Sequence, residues 1–277
     1  MKKAGILACA AVLAGLLSLT TVTGAGAAPL LRFSPGGNGD FSVSTDLMTH
    51  LTDTALLRDS GAGETDFVYQ ARIGDMLRNG APVAPDALND DFEITVTTRL
   101  NDLSTSRSSF VDSLGRTHQT TSLAGAPNQS LVMTMFFDPT PDANPNTVSG
   151  YNDGQTILTA HLQDLEASFD SILTGQNAGT GTGSFDILFL VDSANPNFID
   201  TATGDIVGLR TTGTMNAPSF FTPGAMWDGT PTAGGTMLKV DASQSYVVPE
   251  PSTLLLFGAG LLALAGAARF RKKGGTP

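Results

Sequence analysis

The 277-residue sequence predicts a mainly β protein, a single antiparallel β-sandwich-like domain between an N-terminal signal peptide and a C-terminal transmembrane helix. Three observations point there. Short runs between residues 29 and 247 alternate apolar and polar side chains with the period of two that a half-buried strand requires. Glycine, asparagine and proline clusters separate those runs, as turns demand. The acidic side chains of the same stretch are 22 aspartates against only Glu64, Glu93 and Glu166. Aspartate bonds to nearby backbone in turns and loops, whereas glutamate favours helices, so this bias disfavours a helical body.

The leader comes first. Lys2 and Lys3 form a positive start, Ile6 to Leu19 an apolar stretch, and Gly24 to Ala28 a small-residue run before Pro29. Together these read as a secretory signal peptide over residues 1–28, addressed to the Sec export machinery and cut after Ala27 or Ala28. Cys9, the one cysteine, lies inside this leader. The body therefore has neither disulfide nor thiolate metal site, and at about 220 residues it can bury an adequate core without them.

Within the body, Asp91 to Arg99 is the clearest strand, with Phe92, Ile94 and Val96 on one face and Glu93, Thr95 and Thr97 on the other. Similar runs predict strands at 40–49, 66–73, 130–137, 156–162, 165–173, 185–191, 205–212 and 237–247. Thr45 to Arg58 and Ile73 to Arg78 also fit short helical pieces. Turn signals lie at Pro35 to Gly39, Asn79-Gly80, Asn152 to Gly154 and Asp228-Gly229. The run Gly179 to Gly183 reads as a flexible hairpin approach; it precedes a strand, not a helix N-terminus, and so lacks the context of a phosphate cradle.

The tail joins three parts: the box Val248, Pro249, Glu250, Pro251, Ser252, an apolar stretch, and the basic end Arg269, Arg271, Lys272, Lys273. As a helix, 253–270 would span roughly 27 Å, close to the hydrocarbon thickness of a bilayer. The two prolines cannot sit inside a helix, so they mark the joint with the body. The basic stop stays cytoplasmic and places the body on the opposite face of the membrane. This arrangement resembles the PEP-CTERM sorting signal of Gram-negative bacteria that make extracellular polysaccharide. The resemblance implies an inner-membrane-anchored intermediate, cleavage by an exosortase-type peptidase, and delivery to the cell surface or extracellular matrix. The expected organisation is a signal peptide over 1–28, an extracytoplasmic β-rich domain over 29–247 and a sorting tail over 248–277, with its transmembrane helix at 253–270.

Charge narrows the partners. The body carries 9 basic and 25 acidic side chains, a formal charge of −16. Nucleic acid is excluded, since phosphate binding rests on lysine and arginine. Asp142, Asn144 and Asn146 alternate after an apolar strand and Asp153 follows, offering hard oxygen ligands of the type calcium prefers. Calcium is the single candidate ion, and no cofactor is expected. Thr147 stands where an EF-hand loop needs glycine, and Pro145 stiffens the middle. His50, His118 and His161 are not in metal-binding spacing, and no Gly-x-Ser-x-Gly elbow accompanies the serines.

A second resemblance, from Ser130 to Thr214, is to flocculation-associated PEP-CTERM proteins. It rests on Phe136-Phe137-Asp138-Pro139, Gly154 to Ala160 and Gly183 to Phe189. It implies a non-catalytic surface protein that works with exopolysaccharide in flocculation or biofilm formation. Tyr151, Phe220, Phe221 and Trp227 are aromatic candidates for sugar contact. The alternative is a secreted polysaccharide-active hydrolase pairing Asp90 or Asp91 with Glu93.

Overall fold

The computed structural model describes residues 31–61, 63–125, 129–174, 177–201 and 208–247. Thirteen strands follow in order: β1 (Leu31–Phe33), β2 (Val43–Thr45), β3 (Leu47–Gly61), β4 (Glu64–Arg78), β5 (Ala81–Pro82), β6 (Glu93–Val111), β7 (Thr117–Ala124), β8 (Gln129–Asp138), β9 (Gln155–Thr174), β10 (Asn177–Ala194), β11 (Ile199–Thr201), β12 (Gly208–Ala217) and β13 (Thr236–Val247). Among the described residues there is no helix, and every pairing between named strands is antiparallel.

The large sheet closes on itself. β3 pairs with β4, β4 with β6, β9 with β10, β10 with β12, β12 with β13, and β13 returns to β3. Between β6 and β9, two strands share one position. β7 faces the late residues of both neighbours, and β8 faces their early residues. Counted by position, this is an eight-position meander barrel in which every main strand has partners on both sides and no long edge is left to recruit another chain. The sandwich expectation is corrected accordingly. Two facing sheets and one closed sheet demand the same inward alternation; the difference lies in the β13–β3 pair, where Met237 meets Leu56.

The inward residues fill the lumen. Phe67, Tyr69, Ala71 and Ile73 of β4 point in with Leu165 and Phe169 of β9 and Phe185, Ile187 and Phe189 of β10, all at most 5% exposed. Eight strands leave an interior about wide enough for side chains to occupy. Each such large side chain contributes roughly 1.5–3 kcal/mol by leaving water. Small residues sit where rings must fit: Gly183 opposes Phe169 across β9–β10, and Gly213 opposes Phe185 across β10–β12. A β-carbon on either glycine would come within 2.9 Å of the facing ring. The run Gly179 to Gly183 is therefore part of β10, not a hairpin approach.

One end of the barrel is stoppered. The small sheet β11-β1-β2 lies there, and Phe33, Phe92, Phe137 and Phe198 stack in a chain with centroids 4.8–6.4 Å apart. The other end is open and ringed by polar side chains. Leu31 and Val247, the first and last described residues, both belong to the stoppered end, since β13 finishes against the start of β12.

Thr45 to Arg58 and Ile73 to Arg78 are strand, not helix. Bulges between Thr49 and His50 and between Leu51 and Thr54 break the alternation of β3, and the same slip puts both Ile73 and Met76 of β4 inside. The predicted runs 156–162 and 165–173 form one strand, β9. The predicted turn at Asn79-Gly80 is present, with φ of 52° and 77° between the paired residues Arg78 and Ala81. The signal peptide and the helix 253–270 lie outside the described residues.

Candidate functional site

The acidic loop between β8 and β9 folds back over the outside of β6. Glu93 faces outward from the start of β6, yet its side chain is fully buried beneath this loop. Its Oε1 accepts hydrogen bonds from the backbone N–H groups of Asp142 and Ala143 at 3.0 and 2.9 Å, and its Oε2 lies 3.7 Å from the Arg72 guanidinium. Nearby, Thr95 Oγ1 donates to the carbonyl of Tyr151 at 2.9 Å. One carboxylate oxygen each from Glu93, Asp138 and Asp142 falls within 4.8 Å of the others. Burial raises the Glu93 carboxyl above its ordinary range. Asp142 is raised too, by desolvation and then by the charges of Asp153 and Asp138. Hard oxygen atoms clustered in this way offer a divalent cation the ligands it prefers.

The predicted calcium ligands are placed as follows. Asp142 belongs to the cluster, and Asp153 lies close enough to act on it electrostatically. Asn144 Oδ1 accepts from the Asn146 backbone N–H at 2.9 Å, forming a local turn, and Asn146 is exposed. Sequence reasoning missed Glu93 and Asp138 as companions of Asp142. The signal is register: Glu93 and Asp138 are direct partners across β6–β8. Gly150, at φ 79°, sits where a side chain would collide with Asp142, so only glycine closes the loop.

A second polar cluster lies inside the barrel. His50 Nδ1 and the Tyr69 hydroxyl are hydrogen-bonded, and Tyr69 donates to Asp53 Oδ2 at 2.9 Å. Burial lowers His50 to about 4 and raises both Asp53 and Tyr69 well above their ordinary values. Neutral His50, protonated at Nδ1, completes a one-way chain of donors from His50 through Tyr69 to Asp53. The His50 and Asp53 side chains are 0% and 1% exposed, out of reach of a polymer substrate.

The other histidines stand outside. His118 lies 3.0 Å from Asp112 and stacks on Phe110, and His161 lies 2.6 Å from Asp192. Of the carboxylates considered for hydrolysis, Asp90 and Asp91 are exposed while Glu93 is buried under the acidic loop. Of the aromatic candidates, Tyr151 is wholly buried, Phe221 and Trp227 are half-buried, and Phe220 is 79% exposed with Lys239 over its ring. Burial of Tyr151 follows from the acidic loop's fold over β6 and removes it from any sugar-facing surface. At the open end of the barrel lies a cavity of about 210 Å³. The box residues Val248 to Ser252 and the basic stop Arg269, Arg271, Lys272 and Lys273 lie outside the described residues.

A family model of the PEP-CTERM protein-sorting motif matches residues 247–272. The chain carries this sorting motif, which implies an exported protein held transiently in the membrane and processed by an exosortase. No curated protein and no solved structure matches the chain.

Proposed function

We propose that the protein is a non-catalytic component of the cell surface or extracellular matrix that associates with exopolysaccharide and promotes flocculation or biofilm formation. The observation that carries this reading is the sorting motif at 247–272, which begins where β13 ends. A closed barrel whose main strands, among the described residues, leave no long edge suits a protein that works outside the cell unaided by disulfides. Removal of residues 1–28 and of the tail from residue 248 onward leaves the β-rich domain of residues 29–247 as the mature form.

Calcium belongs to the same proposal. A body with formal charge −16 repels an acidic polymer, and a divalent cation held at Asp142 and Asp153, with Glu93 and Asp138 beside them, offsets that repulsion. Deletion of the gene tests the matrix role. Loss of cell aggregation, restored by the full chain but not by a chain ending at Val247, is the expected result. Unchanged aggregation and unchanged retention of polysaccharide in the deletion strain would contradict it.

A further inference from the structure

We infer that the open mouth of the barrel is a binding site for one neutral sugar residue. Five strands bring polar inward side chains to this end: Asp59 of β3, Thr65 of β4, Arg107 of β6, Gln119 and Thr121 of β7 and Ser171 of β9. They continue the inward alternation that supplies the apolar lumen below, as in Ala55, Leu57 and Asp59 or Phe67 and Thr65. The change from apolar to polar along the same face marks the floor of the cavity, made by Leu57 and Phe169.

Three features decide the ligand class. The first is depth. Phe67, Tyr69 and Phe185 pack against one another beneath the floor, with centroids 6.1–6.4 Å apart, so the lumen does not admit a long apolar chain. The second is charge. Arg107 is paired with Asp59, and Arg58 at the rim is 3.1 Å from Asp66, so both arginines among the described residues of the mouth are neutralised rather than left to await an anion. The third is hydrogen-bonding character. The Thr121 hydroxyl, the Gln119 amide and the Arg107–Asp59 pair supply donors and acceptors around an apolar floor, braced by Ser171 Oγ, which donates to the Gln119 carbonyl at 3.3 Å, and by Thr65 Oγ1, which accepts from Thr105 Oγ1 at 2.8 Å. A sugar ring presents a hydroxyl, at once donor and acceptor, at each rim position and a C–H face for Phe169 and Leu57. The site is concave and built on strands, and Phe169 is held in place by its packing over Gly181 and Gly183. The mouth also lies at the opposite end of the barrel from Val247, where the tail begins.

The inference deepens the proposed matrix role and rests on it for the identity of the polymer. Its test is calorimetric titration of the purified full chain, in detergent, with glucose, galactose and mannose, and with glucuronate as the anionic comparison. Binding of at least one neutral hexose at millimolar concentration is expected, and Gln119→Ala and Thr121→Val should each weaken it about tenfold, the effect of one lost hydrogen bond. Absence of binding by all three hexoses would overturn the site. So would tighter binding of glucuronate that is abolished by Arg107→Gln, which would make the mouth an anion site, or hexose binding untouched by both mouth variants. The matrix role is judged separately, by whether the natural chain and the same variants fractionate with cell-surface material. Retention of the variants there with lost hexose binding rejects the mouth as the attachment point but leaves the matrix role standing, and absence of the natural chain from the surface while it binds hexose rejects the matrix role alone.

Discussion

Tyr69 donates its hydroxyl hydrogen to Asp53 Oδ2 over 2.9 Å inside the barrel, joining β4 to β3 where the β3 ladder bulges between Leu51 and Thr54. The bulge costs ladder hydrogen bonds, and the side-chain bridge spans the gap it leaves. Tyr69→Phe removes the central member and leaves His50 and Asp53 buried without it. A destabilisation of about 1–3 kcal/mol is expected in urea unfolding of the full chain, because buried polar groups lose a partner they cannot replace with water. Unchanged stability would show that the cluster contributes nothing to the fold.

The same cluster gives the protein a defined pH response. His50 titrates near 4 in the folded barrel against an ordinary value of 6.5, because burial disfavours the imidazolium. Between those values the unfolded chain binds a proton that the folded chain refuses, so this contribution falls as pH drops from 6.5 to 4 and is fully present above 6.5. Its span is about 3 kcal/mol. Asp53 acts in the opposite sense: its raised value makes the folded chain hold a proton that the unfolded chain releases above about pH 4, so that contribution is lost as pH rises. Comparison with His50→Gln isolates the histidine. The stability of the natural chain relative to the variant should decline from pH 6.5 to 4, and parallel curves would refute the assignment.

Gly183 has no room for a side chain. A β-carbon at this position would lie 2.9 Å from the Phe169 ring and closer still to the Ser168 carbonyl. Gly183→Val should therefore destabilise by about 1–3 kcal/mol, the usual effect of overfilling a packed interior. Ser184 beside it is exposed, and Ser184→Val should fall within about 0.5 kcal/mol of the natural chain. Equal effects at the two positions would contradict the inward placement of Gly183.

Calcium should raise the thermal midpoint of the natural chain beyond the effect of sodium chloride at equal ionic strength. Asp142→Asn combined with Asp153→Ala should abolish the calcium-specific part and leave the ionic-strength effect, because sodium screens the acidic surface while calcium bridges specific oxygens. A midpoint that depends only on ionic strength would reduce the loop after β8 to a solvated connection.

Much of the fold is legible in the sequence, and the illegible part has physical causes. Ile94 and Val96 alternate with polar residues as an inward face should, and both are buried. Thr95 and Thr97 look solvent-facing by the same rule, yet both are 1% exposed, Thr95 beneath the loop some 50 residues downstream that carries Tyr151. Alternation reports which residues share a face and says nothing of what lies over it. Bulges at His50 and Asp53 shift the parity of β3 and give it a helical appearance. Closure of the barrel depends on Met237 meeting Leu56, a pairing set by the accumulated twist and tilt of all the strands between them. At the candidate calcium site, Asp142 and Asp153 stand out in sequence. Glu93 and Asp138 do not, because their adjacency exists only once β6 and β8 are in register.

Intact-mass measurement of protein recovered from the cell surface reads export and processing of the chain in a single species. Export followed by exosortase processing predicts a species that lacks residues 1–28 and the apolar stretch Leu254 to Ala268 while retaining the barrel through Val247. Surface-recovered protein that still contains Leu254 to Ala268 would contradict the sorting account.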